Sequence, residues 1–161
     1  MKQFTLLLLM LSGLMLYANG QEVSDKIKVE ELIKIIDSGN FSLFKKLVAS
    51  VKYPLADSAG EDNGSITYIT REHKPTGNTL GVSLTKKMTV SMLSFSTYSK
   101  PLYEKLKKEI RQNQFISQGF NKEAGDRESE DFEKGKIYIA TSAIAEGNRP
   151  FFYEFFFFKM R

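Results

Sequence analysis

The sequence predicts an α+β domain built as two layers, an antiparallel sheet of five or six strands with helices on one face. Three observations carry this. Three segments place apolar residues at helical spacing beside a capping residue, and segments of alternating β-branched and polar residues, separated by short turns, follow them. In addition, Tyr68-Ile69 followed by Gly77-Asn78 recurs seventy positions later as Tyr138-Ile139 followed by Gly147-Asn148. That recurrence suggests a duplicated helix-plus-strands unit with halves 40–98 and 99–161.

The chain opens with MKQFTLLLLMLSGLMLYANG. Lys2 precedes a short apolar stretch, and Ala18-Asn19-Gly20 supplies small residues before a cut ahead of Gln21, the pattern of a secretory signal peptide over 1–20. The apolar run is shorter than the ~20 residues a membrane-spanning helix needs. The remaining 21–161 reads as a single α+β domain, long enough to bury a core. The chain holds no cysteine, so neither a disulfide scaffold nor lipid attachment at the cut is available. A formal charge of +4 is too mild for a nucleic-acid binder. Together these features predict an exported protein, periplasmic or extracellular, of bacterial type, that does not span the membrane once its leader is removed.

Val29, Leu32, Ile33 and Ile36 recur at helical spacing until Ser38-Gly39-Asn40 stops them. Asn40 caps a second helix whose stripe is Leu43, Phe44, Leu47, Val48 and Val51, ended by Tyr53-Pro54. Ala56 to Gly64 reads as a loop, SITYIT from Ser65 as a strand, and HKPTGN from His73 as a turn. Leu80, Val82 and Leu84 alternate with small residues, and a strand over Met88 to Thr97 completes a meander. Ser99 caps a third helix with Pro101 in its first turn. Leu102, Tyr103, Leu106 and Ile110 form its apolar face, with Lys105, Lys107 and Lys108 directed elsewhere. NKEAGDRESEDFEKG, from Asn121 to Gly135, reads as a solvated loop. KIYIATSAI is a strand, and the last strand spans Phe151 to Met160.

That last strand poses the main question. PFFYEFFFFKMR carries six phenylalanines and one tyrosine within eight residues. In a strand Phe151, Tyr153, Phe155 and Phe157 point one way, and Phe152, Glu154, Phe156 and Phe158 the other. Burying one phenylalanine stabilises by ~2–3 kcal/mol, so aromatic residues on both faces need an explanation. The strand is either central and covered on both sides, with Phe115, Phe120 or Phe132 as the second cover, or a partner surface, or the wall of an apolar cavity. A transmembrane β-strand is disfavoured by the number of segments spent on helices. Glu154, set among rings, must reach solvent or meet a cation, because an unpaired buried carboxylate is costly. Arg149 and Lys159 flank the strand as gatekeepers. The binding residues this predicts are Phe152, Tyr153, Glu154, Phe156 and Phe158.

No motif for catalysis is present. The lone histidine, His73, lies in a turn with Glu72 beside it, and nothing nearby supplies the nucleophile and orienting acid that a triad requires. The acidic run from Glu123 lacks the spaced ligands and turn glycine of a calcium loop. The expectation is therefore a non-enzymatic binding module without cofactor or metal. Its partner is a protein of the cell envelope or exterior, with homodimerisation as one form of that. The alternative is a carrier of an apolar small molecule or lipid, in a cavity lined by the phenylalanine strand.

Overall fold

The computed structural model describes residues 26–53, 55–62, 65–71, 77–123, 127–145 and 152–160. The expected leader, the turn at His73, the Gly147-Asn148 turn, Arg149 and Phe151 lie outside these residues. The elements are α1 (Val29–Ser38), α2 (Phe41–Val51), β1 (Leu55–Asp62), β2 (Ser65–Arg71), β3 (Thr79–Leu84), β4 (Val90–Thr97), α3 (Lys100–Gln112), β5 (Ile116–Glu123), β6 (Arg127–Lys134), β7 (Ile137–Ile144) and β8 (Phe152–Lys159). The fold is α+β with an antiparallel sheet. Eight strands stand in the order β1-β2-β3-β4-β8-β7-β6-β5. Each meander of four follows a helix, and their last strands, β4 and β8, pair with each other at the centre.

Eight strands exceed the five or six expected, because two segments with the composition of loops are strands. Leu55–Asp62 has almost no β-branched residue, yet it pairs with β2 as an edge strand. The charged stretch after Gln118 forms the β5–β6 hairpin, with β6 in unbroken register against β7 from Arg127↔Ile144 to Lys134↔Ile137. Composition misleads here because alternate side chains face opposite ways. Phe132 is fully buried against the register of Ile139, while Ser129, Asp131 and Glu133 lie on the other face. The seventy-residue match also reads differently in space. Tyr68 lies on β2 and Tyr138 on β7, which hold different places in the sheet order.

The helix boundaries follow the local chemistry. α1 ends at Gly39, whose φ of 65° suits glycine; a Cβ there would lie 2.6 Å from Thr89 Cγ2. The Gly39 carbonyl accepts from Val90 N at 2.9 Å, which ties the α1–α2 turn to the start of β4. Asn40 caps α2, its Oδ1 accepting from Ser42 N at 2.9 Å. Ser99 caps α3 by accepting from Leu102 N. α1 has no side-chain cap of its own; Glu109 of α3 accepts from Val29 N at 3.0 Å instead.

The core combines buried residues of these helices with those of one sheet face, here called the inner face. It carries Leu80, Val82, Leu93, Phe95, Ile139, Phe155 and Phe157, all fully buried. Tyr103 of α3 stacks on Tyr153 at 4.6 Å and tilts against Phe155 at 5.2 Å. Lys107 corrects the expectation that it faces away. It is buried, with its ammonium 2.6 Å from the Glu130 carboxylate of β6 and 5.2 Å from the Tyr103 ring. Arg111 joins the same carboxylate at 2.9 Å. Burial would raise the Glu130 pKa, but hydrogen bonds from Lys107, Ser117 and Arg111 outweigh it and hold the carboxyl below its usual range. Among the described residues no helix is long and apolar enough to cross a membrane.

Candidate functional site

β8 is a central strand, paired with β4 on one side and β7 on the other. Its alternation is clean: Tyr153, Phe155 and Phe157 are buried, whereas Phe152, Glu154, Phe156 and Phe158 are half-buried. Tyr153 is therefore part of the core, apart from the other four predicted site residues, which share the outer face. The second cover suggested for the strand is not made by the residues expected to make it. Phe132 sits on the inner face, Phe115 is buried beyond α3, and Phe120 is exposed on the edge strand β5.

The register explains why the outer phenylalanines stand proud. The row through Phe156 runs Gly81, Ser94, Phe156, Ala140, Asp131 across five strands. Phe156 thus has small residues, Ser94 and Ala140, beside it on both neighbouring strands. The row through Glu154 runs Thr79, Ser96, Glu154, Ser142, Ser129, and the row through Phe158 places Met92 on one side and Tyr138 on the other. Phe156 stacks along the strand with Phe158 at 6.4 Å, Phe158 tilts against Tyr138 at 6.4 Å, and Phe152 packs on the exposed Tyr98 at 5.1 Å. The result is an aromatic ridge lengthwise on the sheet, bordered by serines.

Among the described residues the outer face near β8 carries Glu154, Asp131 and Glu133, with Arg127 on the same face of β6. Burial pushes the Glu154 carboxyl above its usual range, against the opposing effects of a hydrogen bond from Ser142 Oγ (3.3 Å) and the charge of Arg127. Tyr138 donates to Asp131. That bond, burial and the charges of Asp131 and Glu133 push its phenol up to about 12. The chain as a whole is basic, with lysines concentrated on α2 and α3. Lys159, expected to guard the strand end, instead meets the Asp37 carboxylate at 3.0 Å and its backbone carbonyl, clamping β8 to α1.

Sequence reasoning missed Tyr98, Tyr138, Asp131 and Glu133, because they join the ridge only through cross-strand register. It also missed a groove of about 630 Å³ beside α2, lined by Phe41, Phe44, Lys45, Val48, Ala49, Lys52, Tyr53, Tyr68 and Thr70. None of these residues belongs to β8, so the apolar cavity and the phenylalanine strand are separate places. The available signal was Phe41, an aromatic residue one turn before Lys45 and off the buried stripe of α2. Among the described residues no group of three or more His, Cys, Asp or Glu side chains is arranged to hold a metal ion.

No protein-family model, curated protein or solved structure matches the chain. The functional reading therefore stands on these residues alone.

Proposed function

We propose that the chain is an exported, non-enzymatic binding module that receives a protein partner on its outer sheet face. The domain is a two-layer one, with helices over the inner face and the outer face left for the partner, and a duplicated unit is supported by the repeated order of one helix followed by four strands, not by the seventy-residue match. The observation that carries the reading is the half-buried ridge of Phe152, Phe156 and Phe158 with Glu154 among them. The three rings stay partly in water although their strand is central, whereas neighbouring β4 places Ser94 and Ser96 on the same side. Apolar anchors with one desolvated charge match the make-up of interaction hot spots. The signs of Glu154, Asp131 and Glu133 select a partner that presents arginine or lysine beside apolar side chains, with Arg favoured by the ring faces.

The test is capture from an envelope and secreted extract of the host by the purified protein, by its Phe156→Ala variant and by its Glu154→Gln variant. The expected result is one basic protein retained by the wild type, lost with Phe156→Ala and weakened with Glu154→Gln and by salt. Retention that neither substitution alters removes the outer face from consideration.

A further inference from the structure

We infer that the groove between α2 and β2 is a binding site for a single-tailed amphiphilic anion, such as a free fatty-acid carboxylate, separate from the protein-binding face. Its volume of about 630 Å³ falls within the ~300–1,000 Å³ typical of small-molecule sites. Of its nine described lining residues six are apolar or aromatic, two are lysines and one is threonine, with no carboxylate among them. The charge of any polar head it takes is therefore set as negative.

The groove is built by a second face of α2. The buried stripe Phe44, Leu47 and Val51 fixes the helix to the core. Phe41, Lys45, Ala49 and Lys52 follow one another at helical spacing on a neighbouring face, and the small Ala49 in their midst leaves the space open. Phe41 forms the aromatic wall, stacked on Tyr68 of β2 at 5.3 Å and on Phe44 at 6.0 Å. Lys45 holds its ammonium 5.3 Å from the Phe41 ring, so one cation already lies across the apolar wall. Lys52, about 10 Å further along the helix axis, supplies the second. α2 carries no acidic residue to neutralise either.

Lys52 ends α2 in the left-handed conformation, with φ of 59°, which Met88 and Gln114 also adopt elsewhere, and from that position its side chain lines the groove.

The experiment is competition against the fluorescence of 8-anilinonaphthalene-1-sulfonate bound to the purified protein. Three competitors share a twelve-carbon chain: dodecanoate, dodecanol and dodecyltrimethylammonium. The expected result is saturable one-site displacement with dodecanoate strongest and the cation weakest. Ala49→Trp, at an exposed position, fills the groove and abolishes displacement while circular dichroism stays native. The double variant Lys45→Gln/Lys52→Gln weakens dodecanoate by about tenfold, as the loss of two rim charges requires, and leaves dodecanol unchanged. Phe156→Ala leaves all three unchanged, which separates failure here from failure of the protein-binding face. Equal competition by acid and alcohol, undiminished binding by Ala49→Trp, or no saturable binding overturns the assignment.

Discussion

Phe155 and Phe156 are adjacent in the chain and chemically identical, yet the structure assigns them different energies. Phe155 is fully buried, 6.1 Å from the Phe95 ring and 5.2 Å from Tyr103. Truncating it loses the transfer energy of the ring and leaves a cavity that the β4–β8 pair and α3 cannot close, so Phe155→Ala costs about 4 kcal/mol. Phe156 is half-buried on the outer face. Phe156→Ala forfeits about three quarters of a ~2 kcal/mol transfer term and opens no enclosed cavity, so its cost is about 1.5 kcal/mol. For a domain of this size 1 kcal/mol moves Tm by about 3 °C, which gives losses of about 12 °C and about 4–5 °C. Urea unfolding followed by far-UV circular dichroism measures both, and an unchanged m-value shows that the difference lies in stability rather than in the unfolded state. Equal costs would mean that something buries Phe156 as deeply as Phe155, and the case for an accessible outer ridge would collapse.

Three further outcomes are expected. Gly39→Ala adds a Cβ at positive φ and against Thr89 Cγ2, and costs about 2 kcal/mol in chemical denaturation; Thr89→Ser, which removes the clashing methyl, recovers part of it. Lys107→Met removes one of two cations from a buried carboxylate and costs about 2 kcal/mol, less than the ~3–5 for a pair broken outright, because Arg111 remains. Glu130 has a lowered folded pKa, so the wild-type advantage over Lys107→Met is present above the unfolded carboxylate pKa and disappears as pH falls through the folded value, measured as Tm against pH. The raised pKa of Glu154 works oppositely: its favourable contribution is present below the unfolded pKa and is lost as pH rises through the folded one. Glu154→Gln is therefore more stable than wild type at neutral pH, with the difference vanishing in acid.

The helices were legible in the sequence because their signals are local. Asn40 and Ser99 cap, Gly39 terminates, and the stripes at three- and four-residue spacing name the buried faces. What escaped was decided at a distance. β1 has no strand propensity of its own and exists because β2 offers it an edge. β6 carries a charged sequence that becomes a strand because Phe132 meets Ile139, and because the Glu130 charge is met by Lys107 and Arg111 from α3. The four predicted residues on the outer face were placed by alternation alone. Tyr153 was misjudged because alternation separates the two faces of a strand but does not say which one meets the helices.

The position of β8 bears on why its aromatic content is tolerated. A segment such as FYEFFFFK on a sheet edge would invite pairing with other chains. In the native sheet both of its edges are occupied, by β4 and β7, and Lys159 ties its end to Asp37. The backbone hazard is thus closed off by topology, and the side chains of one face are spent in the core. The outer rings answer to neither need. Within two adjacent strands the outer positions change from Ser94 and Ser96 to Phe156 and Glu154. The sheet therefore does not demand phenylalanine on that side. Tyr138 and Tyr98 extend the rings of β8 onto its neighbours, so the ridge crosses strands, as the proposed docking of a partner along it would require.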